Sequence, residues 1–251
     1  MVFIPFSDQN RRIWIEFHYV TVALIAACVV VFAWQFTRDG EGPARIIFGL
    51  GMIPAVVTGE RALAPELAMV PSELTLITSL FLHGGFWHLI GNMLFLWVFG
   101  DNIEDAMGHR RFIGFYLLCG VLASIVHLWS EPSSAVPVVG ASGAISGVLG
   151  AYFVLHPKAN IWVLVFSVLP LKLPTYAVIG GWAALNIFNA VLAEAGTAGV
   201  AWWAHVGGFV AGAALIRFFK QEHVPLWDLS GDARWQIGGL TLPSQRRDRG
   251  P

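Results

Sequence analysis

Three groups of residues carry the chemistry available to this sequence. Ser142 stands in Gly140-Ala141-Ser142-Gly143, at the head of a short apolar stretch that ends near His156. His88 and Asn92 lie four residues apart, one helical turn, and so share one helix face. His205 stands in Trp202-Trp203-Ala204-His205-Val206-Gly207-Gly208. A serine becomes a useful nucleophile when a neighbouring base takes its proton, and imidazole suits that task. The N–H groups and positive dipole end of a helix start favour an anion beside Ser142. His88 and Asn92 can donate hydrogen bonds to the same anion. Taken singly, a serine on a glycine face is a packing residue and a membrane histidine bonds a neighbouring helix. The combination points to acyl transfer. Ser146 lies one turn deeper, lacks the Gly-x-Ser-Gly frame and is set aside as nucleophile.

Such groups need a scaffold, and composition says which kind. Of 251 residues, 56% are hydrophobic and 12% charged, where soluble domains carry about 25% charged residues. The class is a polytopic helical membrane protein. A net charge of -1 suggests no nucleic-acid partner. Cys28 and Cys119 both lie in apolar segments and read as buried hydrophobes. No signal-peptide cleavage site follows Arg11 and Arg12, so the first apolar stretch is expected to remain as an anchor.

In chain order, the pattern predicts a lead-in over 1–16, a six-helix membrane domain over 17–220 and a flexible tail over 221–251. The expected fold is all-α. Helices are expected at about 17–36, 87–99, 112–129, 142–156, 175–193 and 202–219, with a long loop at 37–73 and a charged turn at 101–111. Prolines break the apolar run 161–174, which reads as an interfacial or re-entrant hairpin.

Six spans put both termini on one side, and the positive-inside rule makes that side cytoplasmic. Twelve of the 15 basic residues then face in. His88, Asn92, Ser142 and His205 all fall toward the outer face. Residues 142–156 span only about 22 Å of a ~30 Å core, so Ser142 is expected below the surface beside a water-filled cavity. Gly143, Gly147 and Gly150 on one helix, with Gly208 and Gly212 on another, would let the two approach and bring His205 to Ser142.

On these motifs the sequence resembles the rhomboid intramembrane serine proteases over about residues 15–220. The family's Gly-x-Ser-Gly is similar to Gly140–Gly143, its His-x-x-x-Asn to His88 and Asn92 with a preceding His83, and its Ala-His-x-x-Gly to Ala204–Gly208. The acidic-x-x-x-Gly turn is matched by Glu104 and Gly108. The resemblance implies a Ser142 nucleophile and a His205 general base with no third acidic member. It implies an oxyanion hole of the Ser142 backbone N–H, His88 and Asn92, with His83, Gly140 and Gly143 in support. It implies no metal and no cofactor, a lipid-bilayer setting in a plasma or bacterial inner membrane, and transmembrane segments of other proteins as substrates. Two departures stand out. Some members stack a Tyr, four residues after the serine, on the catalytic His, and this chain has Ser146 there. Some carry a Trp-Arg pair in the first long loop, and none occurs in 37–73.

Rival chemistries fit less well. No His-Glu-x-x-His zinc run occurs, and the expected helices hold no paired Asp. The 161–174 break has no counterpart in the first half, as a transporter built on repeats would have. The alternative reading is a catalytically inactive rhomboid-like binder or chaperone of membrane proteins. That class lacks the Ser or the His, and both are present here.

Overall fold

The computed structural model describes residues 3–8, 10, 12–37, 40, 42–165, 168–193, 199–228, 236–237 and 240–241. Strand β1 is Phe3–Asp8 and helix α1 is Tyr19–Phe36. Short helices α2 (Gly42–Leu50), α3 (Pro54–Val57) and α4 (Thr75–Thr78) follow, the last flanked by 3-10 turns at Ser72–Leu74 and Ser79–Phe81. Then come α5 (Phe86–Met107), α6 (His109–Ser130), α7 (Ser142–Leu155), strands β2 (Asn160–Val165) and β3 (Leu169–Pro174), α8 (Thr175–Leu192) and α9 (Trp202–Phe219). Two-residue strands β4 (Gln236–Ile237) and β5 (Leu240–Thr241) pair with each other.

The chain is mostly helical. Among the described residues four helices, α1, α6, α8 and α9, are long and apolar enough to cross a membrane. A fifth span results if Ser72–Phe81 and α5, which meet at a 79° bend, count as one. Helix α7 is apolar but only 14 residues long. Twelve of those 14 residues are buried, so α7 is walled by protein rather than lipid. It packs against α9, α6 and α5.

Glycine sets how close α7 and α9 come. A Cβ on Gly212 would sit 1.9 Å from the Gly147 carbonyl oxygen, and one on Gly208 would sit 2.1 Å from that of Gly143. One on Gly150 would sit 2.1 Å from the Phe209 oxygen. The two backbones are therefore in contact along three positions, with no room for any side chain between them.

At the far end from Ser142, the base of the bundle, the sequence expectation needs correcting. Residues 101–107 continue α5 as helix, and Gly108 alone separates it from α6. The carboxylates are spent inside the protein. Asp105 accepts from the backbone N–H groups of Ile13, Trp14 and Ile15 at 2.7–2.8 Å. Glu104, fully buried, accepts from the N–H groups of Val20 and Thr21 and from the Thr21 hydroxyl at 2.7–3.0 Å. Glu104 thus caps the first turn of α1 from another helix, and His109 Nδ1 lies 2.5 Å from Oε1, the oxygen that also accepts from Val20 N–H.

The expectation of an all-α chain is also corrected. β1, β2 and β3 form an antiparallel sheet in that order, with β2 in the middle. The prolines explain why the sequence looked broken. Pro170 and Pro174 lie on β3 and Pro5 on β1, both edge strands, where a missing N–H costs no ladder bond. Central β2, Asn-Ile-Trp-Val-Leu-Val, has none and buries Ile161 and Val163. Residues 221–228 dock on the base, with Gln221 N–H donating to Ala106 and Trp227 N–H to Val154. The rest of the expected flexible tail lies largely outside the described residues.

The 37–73 connection holds its own structure. Ile46, Met52 and Ile53 are buried, and Met52 pairs with Val138 of the loop before α7 through two backbone hydrogen bonds.

Two outcomes are expected. Gly212→Ala should lower unfolding stability in detergent by about 2–3 kcal/mol by overpacking the α7–α9 contact. Gly181→Ala, whose Cβ position is open, should move it by less than ~0.5 kcal/mol. Equal midpoints for the two would contradict the contact. The second concerns Asp8 at the base. Burial pushes its carboxyl up to about 7, the Tyr152 hydrogen bond opposes this, and the Asp101 carboxylate adds to it. The folded state therefore holds a proton that the unfolded state has lost. This contribution is full below pH ~4, fades as pH rises through about 7, and is then constant. Unfolding midpoints at about pH 5 and about pH 8 should differ in that direction, and Asp8→Asn should shrink the difference.

Candidate active site

Ser142 is the first residue of α7, and the chain reaches it through a conformation only glycine adopts easily. Gly140 has φ +124°. Its N–H donates to the Ser79 carbonyl at 2.9 Å, which fixes the approach. The Ser146 hydroxyl donates to the Ser142 carbonyl at 2.6 Å, within its own helix. Ser146 is buried one turn below and is used up there, in keeping with setting it aside.

His205 comes from the first turn of α9. Its Nε2 lies 2.9 Å from Ser142 Oγ, across 63 residues of sequence. This is hydrogen-bond distance, the geometry a general base needs. The glycine contacts between α7 and α9 begin immediately below, so the pair sits where two touching backbones begin to part.

The other side of the imidazole was not anticipated. His205 Nδ1 lies 2.8 Å from Asn186 Oδ1 on α8. Asn186 is buried, and its Nδ2 donates to the Trp182 carbonyl at 2.8 Å. The Trp182 ring is tilted 33° to the imidazole at 6.0 Å, and Trp202 meets it edge-on at 6.0 Å. These groups surround the ring where a stacking Tyr from α7 is absent. A signal existed. Asn186 is an amide in an apolar helix, the feature that singled out Asn92. His127 of α6, also buried, is a further histidine that the sequence reading passed over.

His88 and Asn92 flank Gly140. A Cβ there would sit 2.8 Å from His88 Cε1 and Nε2 and 3.7 Å from Asn92 Nδ2. His88 is exposed and Asn92 buried. Asn92 Nδ2 donates to the His88 carbonyl at 3.1 Å, which orients an amide that has two N–H groups. Gly140 thus leaves open the space beside both side chains. His83 stands behind. Its ring meets His88 edge-on at 5.2 Å, and its backbone is clamped by the Gln35 amide of α1 at 3.2–3.3 Å. Gly143 serves packing, since a Cβ there would meet Ala123 of α6 at 2.8 Å. Among the described residues, no three His, Cys, Asp or Glu side chains converge as a metal site.

The arrangement has known relatives. The family model described as Rhomboid domain matches residues 71–222. The mitochondrial rhomboid protein 1 of Saccharomyces cerevisiae is 35% identical over 127 residues, covering 49% of this chain and 37% of its own. RHOMBOID-like protein 5 of Arabidopsis thaliana is 31% identical over 151 residues, covering 60% of this chain and 45% of its own. The human mitochondrial presenilin-associated rhomboid-like protein is 25% identical over 213 residues, covering 77% of this chain and 52% of its own. The chain spans about half the length of these relatives, or less. The matched region runs from the turn before α4 to beyond α9 and contains His83, His88, Asn92, Ser142, Asn186 and His205, and on that match the chain belongs to the rhomboid family.

Proposed function

We propose that this chain is an intramembrane serine endopeptidase that cuts transmembrane segments of other membrane proteins. The observation that carries the reading is the 2.9 Å approach of His205 Nε2 to Ser142 Oγ. His205 takes the serine proton as Oγ attacks the scissile carbonyl. The oxyanion so formed lies against the α7 start, where the first N–H groups have no acceptor within the helix. The Ser142 N–H, with His88 and Asn92 across the Gly140 gap, supplies its hydrogen bonds. The imidazolium then protonates the leaving amine. A water, deprotonated by the same imidazole, releases the acyl group from Ser142. His83 braces His88. The reading needs no metal or cofactor.

In this reading α5 and α7 join the four long helices as membrane segments, six in all, over residues 17–220. Both termini face the cytoplasm, with the base of the bundle and its sheet, and the Ser142 end lies toward the outer face. Only a helix walled by protein can stop short of a membrane surface, as α7 would, because its terminal backbone groups then meet protein or water. The base rows Arg110, Arg111, Lys158, Lys172 and Lys220 favour that orientation.

Reconstituted with a single-pass substrate, Ser142→Ala and His205→Ala should each lose at least about 10³-fold in cleavage while keeping the wild-type unfolding midpoint. Asn92→Ala should lower kcat about 10²-fold. Full cleavage by the Ser142 variant would reject Ser142 as the nucleophile, and a wild-type chain that cleaves nothing would favour the inactive-binder reading.

A further inference from the structure

The Nδ1 side of His205 carries an inference that rests on the proposed Ser142–His205 chemistry. We propose that Asn186 is the positioning residue of this site. Its carboxamide oxygen holds the Nδ1 proton of His205 and so keeps Nε2 bare toward Ser142.

A neutral imidazole has one proton and two nitrogens, and only the tautomer with Nδ1–H leaves Nε2 able to accept the serine proton. Nothing in an isolated imidazole enforces that choice. Here the partner of Nδ1 does, 2.8 Å away. The direction of that bond depends on which way the amide points. The backbone of α8 settles this. Asn186 Nδ2 lies 2.8 Å from the Trp182 carbonyl oxygen. Turning the amide over would set its oxygen against that carbonyl at the same distance, two acceptors with no proton between them. The amide is therefore fixed with Oδ1 facing His205, and Oδ1 can only accept.

Burial makes the arrangement exclusive. Asn186 is 3% exposed, so water has little access to take its place. The tilted Trp182 ring, on the same face of α8 one turn earlier, restricts how the imidazole can turn away.

The choice of an amide follows from depth. A carboxylate would serve Nδ1 equally well as acceptor. Within a membrane helix, however, it would carry a full charge whenever His205 is neutral, and that charge is costly. An amide supplies the acceptor without the charge. Through the cycle the Nδ1 proton stays on His205 while the serine proton moves onto Nε2 and then to the leaving amine, so Asn186 never exchanges a proton and acts only through the ring.

Two measurements on the full chain test this. The first is cleavage of a reconstituted single-pass substrate with kcat and KM separated. Asn186→Leu removes the acceptor at similar size and should lower kcat on the order of 10²-fold, with KM within about twofold. Asn186→Asp restores an acceptor oxygen and should recover at least about tenfold of that loss. A Leu variant within about threefold of wild type overturns the proposal, as does an Asp variant no faster than Leu. The second needs no substitution at Asn186. Nitrogen NMR of the 15N-histidine-labelled wild-type chain, with the His205 signal assigned by its loss in His205→Ala, should show the proton on Nδ1. A proton on Nε2 overturns the proposal even if the Asn186 variants fail to fold. The tautomer is read without catalysis, so a wild-type chain that neither cleaves substrate nor labels at Ser142 with a fluorophosphonate would sink the protease reading separately.

Discussion

The contact of the α7 and α9 backbones is the constraint on which the rest depends. Lipid gives little hydrophobic reason for helices to associate, so close fit must supply the attraction. Gly147 and Gly212 meet with no side chain between them, and Gly143 and Gly208 repeat the contact one turn nearer the top. At this spacing the first turn of each helix lies within side-chain reach of the other. Ser142 and His205 stand in those turns. A single methyl at Gly212 would push apart the pair that a 2.9 Å hydrogen bond joins.

The scaffold around that contact works by satisfying polar groups inside the protein. α7 can be short because it is surrounded. α5 can carry Asp101, Glu104 and Asp105 in its last turns because the segment before α1 turns its backbone N–H groups onto Asp105 and the first turn of α1 turns its own onto Glu104. Asp8 extends the same economy, since its Oδ2 receives both the Tyr152 hydroxyl and the Asn102 amide. That ties β1, and with it the sheet, to α5 and α7. The base is a set of carboxylates that draw the N-terminal segment, α1, α5 and α7 together. It lies at the opposite end from the serine, so the glycine contact and the carboxylate lock hold α7 at different levels.

At the top, rigidity gives way to space. Gly140 contributes by lacking a side chain, leaving a gap bordered by His88 and Asn92. The imidazole of His205 is held from the side by Asn186, Trp182 and Trp202 rather than from α7. Replacing a stacking aromatic on α7 by Ser146 fits this, because Ser146 turns inward to its own helix. The imidazole is supported from α8.

Much of this was written in local sequence. Periodic apolar runs located the long helices, because a membrane span must be apolar along its length. Ser142, His88, Asn92 and His205 were legible because a polar group in such a run is costly and invites a reason. The glycine spacing foretold the contact between α7 and α9. Local pattern misled where the partner is distant. Residues 101–107 looked like a charged turn, since their carboxylates are neutralised by N–H groups about 80 to 90 residues away, which no window reveals. The prolines of 161–174 read locally as breaks, whereas pairing with β1 makes β2 the central strand and leaves the prolines on an edge strand. Asn186 was visible as an amide in an apolar helix, but only the crossing of α8 and α9 decides that its oxygen meets Nδ1 of His205. Sequence determined which residues could react and which helices carry them. The tertiary structure decided which nitrogen of one imidazole faces the serine, because that depends on a hydrogen bond between side chains from two different helices.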